Sequence, residues 1–565
     1  MKYVIIGGVA GGASAAARLR RISEDAEIVL LEKGEYISYA NCGLPYYIGD
    51  TIEERKKLFV QTPVSFGNRY DVDVRTLSEA TAIHRDRKCV TVKNLHNGKE
   101  YEEKYDILLL SPGAEPIVPP VPGVDLPRIF TLRNVADCDR IKAQAVETLS
   151  CAGEPGAVII GGGFIGLEMA ENLQKIGYTV TIVEKASHVL MPLDTPMAAI
   201  VQQHLSDKGV RVITGNGLAA FEENGDQMTV CLEDGTKLPC TIAILSIGVR
   251  PNSKLAREAD LAIGETGGIT VDEYLRTSDE SIYAVGDAIE FPHPITGKPY
   301  CNFLAGPANL QARIVAMNMV YPESTPYSGS VTTAIAKVFD LTAASTGLSE
   351  LALQRAGIPF QTVIVHPAAH ATYYPGGAPL SLKLNFSPDD GRVLGAQAVG
   401  KMNVDKQIDA ISLLLKHEGT IYDLVYSEHA YAPPYASAKS PVMFAGMVAE
   451  NVMAHLMNPI QAEELDRLIE SGEEFQLLDV REIKEFQGGT IQGAENYPVD
   501  ELREFLEDIP CDIKTVVFCE VGLRGYVASR ILMQSGFDQV YNLIGGMRTY
   551  RLVGKHNFNF RHLPT

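Results

Sequence analysis

Two of the chain's nine cysteines stand where a sulfur can do chemistry. Cys42 closes the run Ser38-Tyr39-Ala40-Asn41-Cys42, among small and polar residues and just before a plausible helix start. The next cysteine along the chain is Cys89, so no local disulfide can form. Three chemistries remain open to a lone thiolate. It can attack a small disulfide or persulfide and hold part of the substrate as a mixed disulfide. It can attack a peroxide and become a sulfenic acid. It can also rest paired with a bound small thiol. A helix start beside the sulfur is expected to lower its pKa and keep it ionised. Cys519 ends the strand-like run VVFC, with a helical stretch after it. The loop Cys519-Glu520-Val521-Gly522-Leu523-Arg524 can curl so that backbone N–H groups face the sulfur. Such a nest stabilises a thiolate or a persulfide anion, and Arg524 adds charge.

The elements that must position these sulfurs are written twice in the chain. KYVIIG at 2–7 reads as a buried strand, GGVAGG as a turn, ASAAARLRRI as a helix and AEIVLLEK as a second strand ending near Glu32. The grammar returns at 156–185, where Gly161, Gly163 and Gly166 fit GxGxxG and Glu184 closes the second strand. Glycines there allow a tight turn and close backbone approach to a pyrophosphate. The helix N-terminus offers free N–H groups, and the terminal acid accepts from ribose hydroxyls. The first copy departs from the pattern, with Val9 at the middle glycine position. A carboxylate at Glu184 binds a ribose 2′-hydroxyl and repels a 2′-phosphate, so NADH is expected over NADPH, softened slightly by Lys185.

Three further stretches sharpen this reading: SPG at 111–113, YAVGD at 283–287 and LAGPANLQAR at 304–313. With them the chain resembles the pyridine nucleotide-disulfide oxidoreductases, flavoproteins with two dinucleotide-binding domains. The resemblance implies FAD in the first unit, at Gly7, Gly8, Gly12, Glu32, Lys33, Ser38, Ser111, Gly113, Asp287 and Ala305, with Asp287 on the ribityl chain. It implies NADH in the second unit, at Gly161, Gly163, Phe164, Ile165, Gly166, Glu184 and Gly248. Phe164 would cover the flavin until nicotinamide displaces it. The SxxNC run at 38–42 resembles the active-site motif of coenzyme A-disulfide reductases. In that subfamily paired tyrosines from the partner subunit reach the cysteine-bound substrate. Tyr373 in ATYYPGG and Tyr431 in YAPPYASAKSP match, with Tyr374 and Tyr435 as open alternatives, and a homodimer is implied. Coenzyme A is polyanionic. Arg18 and Arg21, three apart, share a face of the first helix while Arg20 points elsewhere. With Ser38, Asn41 and Cys42 they are the expected coenzyme A contacts, and Arg55, Lys56 and Lys57 add charge.

LLDVRE, with Asp479 and Arg481, and GTIQGAENYP complete a resemblance to rhodanese domains over about 461–560. Thr490 stands where many rhodaneses have a histidine. The spacing from Cys519 to Arg524 is C-x4-R, tighter than the C-x5-R loop of related phosphatases, and suits a sulfur atom. Glu520 places an acid beside an anionic sulfur and is expected to restrict the donors accepted. The whole chain thus resembles a coenzyme A-disulfide reductase joined to a rhodanese, of the NADH-dependent persulfide reductase type. The implied cofactors are FAD, NADH and coenzyme A, the last as substrate or resident. The implied partners are small thiols and persulfides. The alternative is an NADH oxidase or peroxidase. Those enzymes carry a histidine in the first glycine loop, where this chain has Val9 and Ala10.

The expected fold class is α/β: two Rossmann-like dinucleotide-binding domains, an α+β dimerisation domain and a rhodanese-like α/β domain. Residues 1–150 and 276–325 are read as the FAD-binding domain and 151–275 as the NAD-binding domain. Residues 326–445 are read as the dimerisation domain, 446–460 as a linker and 461–565 as the rhodanese. At roughly 150 residues per domain, 565 residues accommodate these four. The formal net charge of −20 argues against broad nucleic-acid or anionic-membrane binding. No run approaches the ~18 apolar residues of a membrane helix. The scattered cysteines, without a CxxC, argue against a zinc ribbon or a secreted disulfide framework and for a reducing cytoplasm. The apolar N-terminus is better explained by strand–turn–helix than by a signal peptide.

Overall fold

The run YVII forms β1 (Lys2–Ile6), the small-residue helix follows as α1 (Ala10–Ile22), and β2 (Glu27–Leu31) closes the unit. Alanines at 13, 15, 16 and 17 are buried, which lets α1 lie close on the sheet. The short helix α2 (Leu44–Ile48) follows the cysteine segment. Then come β3 (Asp73–Arg75) and β4 (Ile107–Leu110). The second copy is built from β5 (Ile129–Thr131), β6 (Gly156–Ile160), α3 (Phe164–Lys175), β7 (Thr179–Val183), β8 (Arg211–Ile213) and β9 (Ile242–Leu245). The chain then returns to the first sheet with β10 (Ile282–Ala284). The first sheet runs β10-β4-β1-β2-β3 and the second β8-β7-β6-β9-β5. Every pair is parallel. Parallel strands covered on both faces read as unbroken apolar runs, as VII and VIIG do here. Helix α4 (Ala305–Val320) packs along α1.

The structure, a computed structural model, describes residues 1–150, 155–225 and 227–558. It divides into two compact units, one of residues 1–189 and 209–332 and the other of 190–208 and 333–565. The second unit opens with an antiparallel sheet ordered β11 (Ala334–Val338), β12 (Leu341–Gly347), β15 (Val393–Gly400), β14 (Leu380–Phe386) and β13 (Gln361–Val365). A second, parallel sheet follows, ordered β16 (Pro459–Ile460), β20 (Val540–Leu543), β19 (Lys514–Phe518), β17 (Phe475–Asp479) and β18 (Glu495–Asn496). Helices α5 (Leu523–Gln534) and α6 (Gly546–Val553) flank its last strands.

One stretch differs from the sequence reading. Residues 190–208, read as part of the 151–275 nucleotide domain, pack with the second unit, because Asp194 is drawn into a buried polar network there. The stretch 446–460, whose pattern suggests a helix running into a linker, continues the helix Pro441–Met453, which buries Ala449 and Val452. No helix among the described residues is long and apolar enough to cross a membrane.

Candidate active site

The glycine loops show which glycines are needed. Gly7 and Gly161 hold φ of +100° and +108°, and a Cβ on either would strike the carbonyl oxygen of Ser111 or Ser246. A Cβ on Gly12 or Gly166 would lie 1.8 or 2.0 Å from the oxygen of Gly7 or Gly161, so helix and strand touch there. At Gly163 a Cβ meets nothing within 4 Å. That position faces open space, and its counterpart in the first loop accommodates Val9 without a clash. The terminal acids behave alike. Glu32 accepts from the N–H of Gly8 (2.8 Å) and Gly34 (2.7 Å), and Glu184 from Gly162 (2.7 Å) and Ala186 (2.8 Å).

A cavity of about 460 Å³ opens above the first loop. It gathers Gly7, Gly8, Glu32, Lys33, Ser111, Gly113 and Asp287 of the expected set. Gly12 and Ala305 lie outside its wall, beneath the loop and at the start of α4, where Ala308 takes the lining position. Ser38 also lies outside, and its N–H donates to the oxygen of Gly8 at 2.8 Å. The wall adds Arg133 and Tyr39, which the motifs did not single out. Val9 and Ala10 line it too. The left-handed glycines, the cradle and the acid at its rim fit a dinucleotide.

The Ser38 bond ties the cysteine segment to the glycine loop, and Ala40 N–H to the oxygen of Leu58 (2.8 Å) ties its other side. Cys42 lies in the single turn Asn41–Gly43 that leads into α2. Helix α2 packs on α3, and the approach is close. A Cβ on Gly49 would lie 2.2 Å from Oδ1 of the buried Asn172. The cysteine turn is thereby set beside the helix that starts at Phe164. Phe164 itself is half-buried, and Ile165 is exposed. Gly248 holds a φ of +116° at the edge of the same unit.

The expectation that a helix start lowers the thiol pKa is not met by the protein alone. Cys42 is open to solvent, yet the surrounding protein desolvates its thiol and pushes the pKa up. The carboxylates of Glu168 and Asp287 push the same way. The sulfur sits within a single turn, the helix that follows it has only five residues, and among the described residues the charges acting on the thiol are those two carboxylates. Glu168, on α3, escaped the sequence reading. Burial raises its carboxyl to about 7, against the Tyr46 hydroxyl, which donates to it at 3.3 Å. Above that pH its charge therefore opposes Cys42 ionisation. Glu168→Gln is expected to move the midpoint of Cys42 alkylation by iodoacetamide to lower pH and raise the rate near neutrality several-fold. An unmoved midpoint would show that the two groups are not coupled.

Of the expected coenzyme A contacts, Arg18 reaches Met317 Sδ at 3.7 Å and leaves its buried Nε without a partner. Asn41 Oδ1 is likewise buried and unpartnered among the described residues. Arg21 is exposed and folds back on the oxygen of Ala17 (2.9 Å). Arg20 is buried and bound to backbone oxygens of Tyr70 and Ala26, as its separate direction predicts. Arg55 is committed to Asp139 (2.7 Å), whereas Lys56 and Lys57 stay exposed beside Glu54. In the second unit the hydroxyls of Tyr373 and Tyr431 meet at 2.9 Å, both rings exposed. Tyr374 packs edge-on to His370, and Tyr435 is exposed.

Around the second sulfur, Cys519 Sγ is buried and accepts from the N–H of Gly522 at 3.1 Å. Gly522 holds a φ of +102° as it caps α5. Glu520 is not a free acid beside this sulfur. Arg551 (2.6 Å) and Arg481 (3.4 Å) neutralise it, which removes the expected brake on anionic donors. Arg524 pairs with Glu485 through two bonds of 2.6 and 2.7 Å. That pair, with Cys519 adding a smaller contribution, keeps the guanidinium firmly protonated. Val521 and Leu523 complete the loop, Leu523 exposed. Asp479 holds Arg481 inside the fold and accepts from Thr490 Oγ1 at 2.8 Å, which gives Thr490 a structural place.

Two parallel-sheet dinucleotide units with a lone cysteine turn between them, followed by an antiparallel sheet, define a flavin- and nicotinamide-linked oxidoreductase. The chain belongs to the pyridine nucleotide-disulphide oxidoreductases, whose family model matches residues 1–312 and whose dimerisation-domain model matches 333–441. A rhodanese-like domain model matches 461–552. The chain is 33% identical over 453 residues to a coenzyme A disulfide reductase of Staphylococcus aureus, covering 80% of this chain and all of that one. It is 47% identical to the crystal structure of reduced Bacillus anthracis CoADR-RHD, covering 98% of each chain with a TM-score of 0.95. It is 39% identical to a NAD-dependent persulfide reductase from A. fulgidus, covering 97% and 100% with a TM-score of 0.90. The chain is accordingly an FAD- and NAD(H)-binding protein.

Cofactor choice has a direct test. Lys185, expected to soften the charge of Glu184, is drawn to Glu233 at 2.9 Å. Glu184→Gln is expected to raise kcat/KM for NADPH relative to NADH about tenfold. Steady-state rates with both nucleotides check this, and an unchanged ratio would remove Glu184 from cofactor selection.

Proposed function

We propose that the protein uses NADH to reduce persulfides, polysulfides or coenzyme A persulfide and disulfide through the thiolate of Cys42, with its rhodanese module handling sulfane sulfur. The observation that carries this reading is the placement of one accessible cysteine turn against both the flavin-side glycine loop and the nicotinamide-side helix α3. FAD, when bound, passes the electron pair of NADH to sulfur. The rest falls to the chain's own residues. Cys42 thiolate attacks the inner sulfur of a persulfide, forms a mixed disulfide and expels hydrosulfide. Two electrons then cleave that disulfide, restore the thiolate and release the thiol. The Tyr373–Tyr431 pair, supplied by the partner subunit of a homodimer, contacts the bound substrate. Arg18, Arg21, Ser38 and Asn41 hold a coenzyme A moiety, and the unpartnered Nε of Arg18 supports this. Cys519 takes up and passes on sulfane sulfur in the 519–524 nest. The domain limits read from the sequence, residues 190–208 apart, and a reducing cytoplasm belong to the same reading.

Anaerobic NADH oxidation with coenzyme A persulfide, coenzyme A disulfide and hydrogen peroxide tests it. Turnover of the persulfide is expected, with one sulfide released per NADH. Turnover of peroxide alone would move the protein to oxidase or peroxidase chemistry, against which Val9 and Ala10 in the first loop already stand.

A further inference from the structure

The second unit contains a cavity of about 580 Å³ that is lined by neither cysteine and shares Tyr373 with the expected substrate contacts. One wall is the segment 366–368 and 372–379 of the antiparallel-sheet region, including Tyr373 and Tyr374. Arg548, on α6 of the C-terminal domain, closes the other side. The seam between these walls is fixed. His366 bonds Ser381 Oγ at 2.8 Å through Nδ1 and Thr549 Oγ1 at 2.9 Å through Nε2. Burial and the nearby Arg548 charge push its pKa down to about 3, so the imidazole bridging the seam is neutral. Gly545, whose added Cβ would lie 3.2 Å from Ile364, packs the same seam. Arg548 therefore has a set position relative to Tyr373.

Arg548 is the unusual member of this wall. It is half-buried, and its side chain makes no hydrogen bond or ion pair among the described residues. Its neighbours Arg551, Arg524 and Arg481 are each neutralised by carboxylates. The cavity wall supplies Arg548 with no carboxylate, only tyrosine, threonine, proline, glycine and alanine residues around a neutral histidine. In a chain with 70 acidic and 50 basic residues, an unpaired, part-desolvated guanidinium keeps its donors open for an outside anion. The volume suits a nucleotide-sized group. Two partly exposed aromatic rings, Tyr373 at 74% and Tyr374 at 42%, offer faces for a base to lie against.

We propose that this cavity is an anion subsite of the reductase, in which Arg548 binds a phosphate of a phosphorylated thiol or persulfide substrate while Tyr373 lines the path to its sulfur end. The proposal rests on the reading that the Tyr373–Tyr431 pair contacts substrate. It makes the rhodanese module part of the reductase's substrate site: selection of a phosphorylated carrier depends on a residue the fused domain brings.

The test uses the full-length, FAD-loaded protein and its Arg548→Met and Arg548→Lys variants. KM is measured for coenzyme A persulfide and for pantetheine persulfide, which lacks the phosphates. Arg548→Met is expected to raise KM about tenfold for the first and leave the second unchanged, with Arg548→Lys between. Equal KM values in wild type and Arg548→Met, or equal losses for both substrates, would overturn the subsite. Calorimetric binding of adenosine 3′,5′-bisphosphate is measured in parallel. Weaker binding to Arg548→Met supports the subsite, and unchanged binding overturns it. Should wild type turn over no persulfide, the proposed function fails, and the bisphosphate titration alone decides the subsite.

Discussion

Serine in place of Cys42 is expected to abolish persulfide and disulfide turnover, by about a thousandfold or more, while NADH still bleaches the bound flavin at its normal rate. A serine hydroxyl is not ionised near neutrality and cannot form the sulfur–sulfur bond that stores half of the reaction. The substitution removes one atom's chemistry and little else. The thiol is solvent-accessible, and the turn that holds it is fixed by backbone bonds from Ser38 and Ala40. Stopped-flow absorbance separates the two half-reactions, and steady-state NADH oxidation reads their sum. A variant retaining more than about a tenth of wild-type persulfide turnover would show that the electrons leave by another route. Cys519→Ala gives the reciprocal result. Transfer of sulfur from thiosulfate to cyanide is expected to vanish while reduction of coenzyme A disulfide stays intact. Loss of both activities in either single variant would mean that the two sulfurs act in one obligatory sequence.

What could be read from the chain and what could not divide along a physical line. The nucleotide units were legible because their signals are local. A glycine forced to positive φ, a glycine under a carbonyl oxygen and an acid at a strand end all lie within one strand–turn–helix–strand stretch. The Cys519 loop was legible for the same reason, since six consecutive residues make it. Glu168 was not, because nothing in its helix marks it. Its burial depends on Tyr46, 122 positions earlier. The pairing that neutralises Glu520 comes from Arg551, 31 residues on, so an acid that looked obstructive turned out to be matched. Arg548 carries no motif at all, and only the seam between two sheets gives it a cavity to face. Helix 195–207 was assigned by chain position, whereas the bonds of Asp194 place it with the second unit.

That same Asp194 leads to the largest stability effect expected in the molecule. The alternation of LSLKLNF suggests a strand with one wet face, yet β14 is buried along its whole length. Lys383, in its middle, has no exposed side-chain surface and lies 2.8 Å from Asp194 and 3.0 Å from Glu350. Gln397 donates to Asp194 at 2.6 Å, and Thr362 and Gln461 donate to Glu350 at 2.7 and 3.2 Å. Lys383→Met fits the space but leaves the buried carboxylate of Asp194 and the half-buried one of Glu350 without their cation. Breaking a buried charge cluster from one side costs about 3–5 kcal/mol. For a unit of this size that lowers the thermal midpoint by roughly 10 °C. The full loss belongs to the stranded charges and not to the missing lysine. Adding Asp194→Asn and Glu350→Gln to Lys383→Met is therefore expected to recover most of it. A single variant within about 1 kcal/mol of wild type would mean that water reaches the cluster. A triple variant no better than the single would mean that the hydrogen bonds of Gln397, Thr362 and Gln461, rather than charge, hold helix 195–207, the antiparallel sheet and the start of the C-terminal domain together.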